Sequence, residues 1–98
     1  MMTTDGPTGF GLLDAALLVL PDADRHEAAR IFLAAVYGEG CPPRLMDDAK
    51  AFQARARATR GPHAVDMRWV GDQLVSAAQR REQQVAARAA ATRARANA

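Results

Sequence analysis

The sequence predicts an all-α protein with a small four-helix body at about residues 9–20, 24–37, 43–60 and 63–79, whose last helix continues as a projecting Ala/Arg-rich basic extension. Three observations predict it. Apolar residues recur at i, i+3, i+4 and i+7 through four consecutive segments, the spacing that lines one side of a helix. Breaker residues fall between those segments, at Pro21, at Gly38-Glu-Gly-Cys-Pro-Pro43 and at Gly61-Pro62. Residues 80–98 are dominated by Ala and Arg, both strong helix formers.

Residues 1–8, Met-Met-Thr-Thr-Asp-Gly-Pro-Thr, carry turn chemistry without periodicity and are expected to form a flexible N-terminus. The first helix, Gly9 to Leu20, has a stripe of Leu13, Ala16, Leu17 and Leu20, with Leu12, Leu18 and Val19 filling much of the other side. A short helix that is apolar nearly all round is either central to a core or pressed against a second chain. Pro21 ends it.

Asp24-Arg-His-Glu27 has the spacing of a capping box, with Asp24 accepting an early backbone N–H of the second helix. Ala29, Phe32, Leu33, Val36 and Tyr37 give that helix its expected buried face, away from Glu27 and Arg30. Gly38 supplies a left-handed cap, and Pro43 suits the first turn of the third helix. The third helix, 43–60, has a narrower stripe of Leu45, Ala49, Phe52 and Ala56. Its acids Asp47 and Asp48 lie near the positive N-terminal end, and Arg55, Arg57 and Arg60 near the negative end, matching the macrodipole.

The fourth helix opens near His63 and carries a seam of Met67, Val70, Leu74 and Ala77, with Val65 and Trp69 beside it. After Gln79 the only large apolar residue is Val85. A helix from His63 to Ala96 would run about 50 Å at 1.5 Å per residue, against about 30 Å for a compact body. The domain division is therefore a flexible 1–8, one helical domain 9–79, and a basic helical extension 80–98.

Composition bounds the function. Of the 49% of residues that are hydrophobic, 23 residues are Ala, so 25 larger apolar side chains remain, 22 of them between Phe10 and Val75. That core is lean, and self-association along the first helix or docking on a protein partner would relieve it. The expected interaction surface is Leu12, Leu13, Leu17 and Leu20. Cys41 is the single cysteine, which excludes a disulfide framework and a Cys-based zinc site within the chain, and a reduced cytoplasmic setting follows. The apolar run Phe10–Leu20 is about 11 residues, too short for the roughly 20 needed to cross a bilayer, and lacks the basic start of a secretory signal. No membrane association is expected.

The catalytic inventory is thin. Ser76 is the sole serine and lies in the seam segment Leu74-Val-Ser-Ala-Ala; Cys41 is the sole thiol, and His26 and His63 are the only histidines. Asp22-Ala-Asp24 opens like a calcium loop, but Glu27 and Leu33 occupy the positions that need Gly and the bidentate acid. Asp47 and Asp48 diverge by about 100° on a helix. The chain reads as non-catalytic, with no cofactor, metal or small-molecule substrate identified.

Charge is unevenly divided. Residues 1–49 carry three Arg against eight Asp and Glu, giving −5; residues 50–98 carry ten Lys and Arg against three acids, giving +7. In the extension Arg81, Arg88 and Arg95 recur every seven residues on one helical stripe flanked by Arg80 and Arg93, a pattern that could track nucleic-acid phosphates. Lys50, Gln53, Arg57 and Arg60 form a second basic row along the third helix. No aromatic residue is interleaved with either row, so base stacking has no platform. A helix-turn-helix built on the second and third helices would need a shorter turn than Gly38–Pro43. The reading is an intracellular helical protein–protein interaction or assembly module, a small adaptor or regulator or a mobile-element product. Its alternative is a nucleic-acid-binding protein acting through the basic C-terminal helix.

Overall fold

A computed structural model describes residues 10–38 and 42–97 as four helices: α1 (Gly11–Leu18), α2 (Asp22–Tyr37), α3 (Pro42–Ala58) and α4 (Ala64–Ala96). The expected flexible N-terminus 1–8 and most of the α2–α3 connection lie outside the described residues. α4 is the spine. It packs on each of the other three helices, most extensively on α3, while α1 rests on α2 and α4 only.

α3 and α4 meet through the predicted residues. Leu45, Ala49, Phe52 and Ala56 are buried on one side, Met67, Val70, Leu74 and Ala77 on the other. Gly71 lets the two backbones approach: a Cβ added there would lie 3.0 Å from the Gln53 Cα. Thr59 closes α3, its amide donating to the Ala56 carbonyl at 3.1 Å and its hydroxyl to the Arg55 carbonyl at 2.9 Å. The helix ends at Ala58 rather than residue 60.

Three expectations need correction. α2 starts at Asp22, because Pro21 at φ −55° is already shaped to enter a helix and its carbonyl accepts the Arg25 amide at 2.9 Å. Asp24 therefore lies within the first turn and caps nothing; its carboxylate instead accepts a hydrogen bond from Arg55 on α3 at 3.1 Å. The buried face of α2 is Ala28, Ala29, Ile31, Phe32 and Ala35, and Val36 and Tyr37 are exposed. This face is turned by about one residue, 100°, from the expected one and stands opposite Arg30. The alanines at 28 and 35 allow α2 to lie close against its neighbours, and Ile31 fills the space between them.

The third correction concerns α1. It spans only Gly11–Leu18, and its end tightens as the amides of Val19 and Leu20 donate to Ala16 and Leu17 before Pro21. Leu13, Leu17 and Leu20, expected on an interaction surface, are core residues shielded by α2 and α4. Only Leu12 of that set faces outward.

Beyond Arg81 the α4 helix leaves the body. From Glu82 to Asn97 every residue but the half-buried Val85 is exposed. The described chain measures 56 × 37 × 17 Å with a radius of gyration of 15.5 Å, above the roughly 13 Å of a compact domain this size.

Candidate interaction surface

α1 has inverted polarity. Its one charged residue, Asp14, is 7% exposed, whereas Leu12 is 80% and Leu18 70% exposed. Leu12, Ala15 and Val19 follow one another at i, i+3 and i+7, so the outward stripe of the helix is wholly apolar.

This stripe does not stand alone. Between α1 and α4 run two adjoining hollows that share Leu12 and Trp69. The first, about 360 Å³, continues over Phe10, Phe32 and Gln73 to Arg80. The second, about 420 Å³, continues over Ala15, Ala16 and Val19 to Asp66. The Phe10 and Phe32 rings meet edge to face, with centroids 5.1 Å apart at 77°, and so fix the floor of the first hollow. The result is an apolar strip with a cation at one end and a carboxylate at the other. Phe10, Val19 and Trp69 were not among the predicted interface residues. Trp69 lies two residues past Met67 and one before Val70, so it falls beside the buried seam of α4, and the sequence alone does not say whether that flank is covered.

The predicted basic residues divide. Arg81 belongs to the line Met67, Leu74, Arg81, Arg88, Arg95, which repeats every seven residues along α4. It therefore points toward the body, not away from it, and its Nη2 donates to the Gly38 carbonyl at 3.2 Å. Arg88, Arg93 and Arg95 continue into the exposed extension, and Arg80 closes the first hollow. Lys50 and Arg57 are exposed on α3, with Gln53 between them tied to Asp72 of α4 at 2.9 Å. None of Lys50, Arg57, Arg80, Arg88, Arg93 or Arg95 forms an ion pair among the described residues. Among the described residues Arg25 pairs with Asp22 and Arg30 with Glu27 and Asp48, all within the acidic half, while Arg55 of the basic half pairs with Asp24. Arg55 also lies 4.9 Å over the Phe52 ring.

Among the described residues no group of three or more His, Cys, Asp and Glu is placed to hold a metal ion. Cys41 lies outside the described residues. The Arg30 pKa is raised above its ordinary value, first by its hydrogen bond to Glu27 and further by the charges of Glu27 and Asp48. Among the described residues no helix is long and apolar enough to cross a membrane. No family model matches the chain, and neither a curated protein nor a solved structure resembles it significantly.

Proposed function

We propose that this chain is a non-catalytic helical assembly module, a small cytoplasmic adaptor or regulator that associates with a second copy of itself through the outer face of α1 and the Trp69 flank of α4. The observation that carries the reading is the inverted polarity of α1. Leaving Leu12 and Leu18 in water is unfavourable for a solitary helix and relieved for one whose outer face is covered.

A second copy fits because the strip complements itself. In a two-fold interface the same patch faces itself reversed, so a residue at one end meets the residue at the other. An axis near Gln73, midway along α4 between Asp66 and Arg80, would bring Asp66 of one copy toward Arg80 of its mate at both ends of the strip.

The test is Leu12→Asp, with association measured by light scattering across a concentration series. An Asp in the first turn suits the positive helix end, so the variant should keep its helicity and melting temperature. The expected result is an oligomer for the parent chain and a monomer for the variant. Leu17→Asp serves as the contrast, because it buries a charge in the core and should unfold the protein. A parent chain that is monomeric at every concentration overturns the proposal.

A second reading is favoured by the exposure of Arg88, Arg93 and Arg95 without ion-pair partners among the described residues. The extension would then bind nucleic acid. Salt-dependent binding of duplex DNA or RNA that disappears when the chain ends at Ala87 would support it; equal binding by both chains would remove it.

A further inference from the structure

We infer that the α3–α4 turn is an anion site that takes phosphate oxyanions on three guanidinium groups, those of Arg57, Arg60 and Arg68. The inference is independent of the assembly reading and uses the opposite end of the α3–α4 pair from the basic extension.

The three arginines line one open hollow of about 480 Å³. Arg57 comes from the last turn of α3, Arg60 from the connection and Arg68 from the second turn of α4. All three are exposed, and none is ion-paired among the described residues, whereas Arg25, Arg30 and Arg55 each hold a carboxylate. No acid among the described residues lines the hollow. The carboxylate one turn along α4 from Arg68, Asp72, is engaged by Gln53.

Small residues keep the centre open. Gly61 turns the chain at φ +102°, a conformation that favours glycine, and a Cβ built there would meet nothing within 4 Å. The positive end of α4 and the negative end of α3 lie side by side, so their dipoles oppose and the guanidiniums supply the field. Guanidinium forks match phosphate oxygens two at a time, and convergent forks favour that ligand over a monovalent halide.

The hollow is separate from the arginine stripe. Arg88 lies 20 residues along α4 from Arg68, which is about 30 Å along the axis and roughly on the opposite side of the helix. A ligand held at the turn does not reach that line. Its volume falls within the range of small-molecule sites, about 300–1,000 Å³, so it accommodates a phosphate carried on a larger group.

The experiment follows backbone amides of Thr59, Arg60 and Gly61 by NMR while inorganic pyrophosphate or a short DNA duplex is added at fixed ionic strength. Saturable shifts confined to this turn are expected. The double variant Arg57→Gln/Arg68→Gln should weaken binding by at least about tenfold, while Arg88→Gln/Arg95→Gln should leave the affinity of pyrophosphate unchanged. Binding of the duplex alone identifies a polymer backbone as the phosphate source, and binding of pyrophosphate alone a free phosphate compound; either supports the site. Shifts reproduced by sodium chloride, absent with both ligands, or undiminished in the turn double variant overturn it.

Discussion

The Arg81 guanidinium lies over Gly38, its Nη2 donating to the Gly38 carbonyl oxygen at 3.2 Å. This contact ties the long helix to the end of α2 at the point where α4 leaves the body. Gly38 is the left-handed C-cap of α2, with φ +76° and its own amide donated to Ala34. The orphan carbonyls there form the negative end of a helix, and a cation set against them is favoured.

Arg81→Gln should therefore destabilise the body by about 1–2 kcal/mol, a fall in Tm of roughly 5–10 °C. Arg88→Gln, one heptad further and exposed, should change stability by less than about 0.5 kcal/mol. The two substitutions also couple differently to Gly38→Ala. A Cβ at Gly38 would lie 2.9 Å from the Arg81 Nη1 and would impose strain at positive φ. In an Arg81→Ala background only the strain remains, so the pair should cost less than the sum of its members. Thermal melts of the four chains measure this, and strict additivity would show that the guanidinium does not occupy the Gly38 surface.

Truncation distinguishes the tie from the extension. A chain ending at Ala87 keeps Arg81 and Val85 and loses only residues that are exposed where described. Its stability should match that of the full chain to within about 0.5 kcal/mol. A chain ending at Gln79 loses Arg81 and should melt lower by about the amount of Arg81→Gln. Equal melting by both shortened chains would place the stabilising contact elsewhere.

The residues that were legible in the sequence share a property. On α3 and on the first half of α4, large apolar side chains alternate with charges, so only one stripe could be buried, and Leu45, Phe52, Met67 and Leu74 follow it. On α2 the run Ala-Ala-Arg-Ile-Phe-Leu-Ala-Ala-Val-Tyr is apolar on nearly every side, and Arg30 is its one polar marker. Two stripes were available, and packing against α3 and α4 selected the one with Ile31. The same ambiguity hid the surface of α1: Leu12 and Leu13 are adjacent and chemically identical, and only the tertiary fold decides that one is 80% and the other 4% exposed. The tie between Arg81 and Gly38 spans 43 residues, a distance at which periodicity carries no information.

Arg30 gives a pH prediction. Glu27 accepts two hydrogen bonds from it, at 3.2 and 3.0 Å, and Asp48 lies 3.5 Å away. These raise the guanidinium pKa above its ordinary value. A raised folded-state pKa means a contribution that is complete below the unfolded value and lost only as pH rises through the folded one. For arginine that window is strongly alkaline. The stability lost in Arg30→Gln should thus be the same between about pH 6 and pH 9. The pairs are solvent-accessible, so the loss should be at most about 1 kcal/mol and should shrink with added salt. Denaturant titrations at several pH values and two ionic strengths check both parts; a steep change across neutral pH would contradict the assignment.

Gly71→Ala sets two effects of opposite sign against each other. In the middle of α4 an alanine gains about 0.8–1 kcal/mol of helix propensity over glycine. Against this, the new Cβ would stand 3.0 Å from the Gln53 Cα, 3.5 Å from its Cβ and 3.6 Å from the Ala56 Cβ. The nearest atom is backbone within the interior of α3, so the clash is relieved only by moving the helices apart. That movement loosens the packing of Phe52, Val70 and Leu74, each fully buried, and overpacking of this kind costs about 1–3 kcal/mol. Steric cost wins, and Gly71→Ala should lower Tm, with Gly71→Val lower still. Gly11→Ala, at a helical position with nothing within 4 Å of its Cβ, supplies the comparison and should be neutral or stabilising. A Gly71→Ala chain more stable than the parent would mean that α3 and α4 separate readily at this crossing.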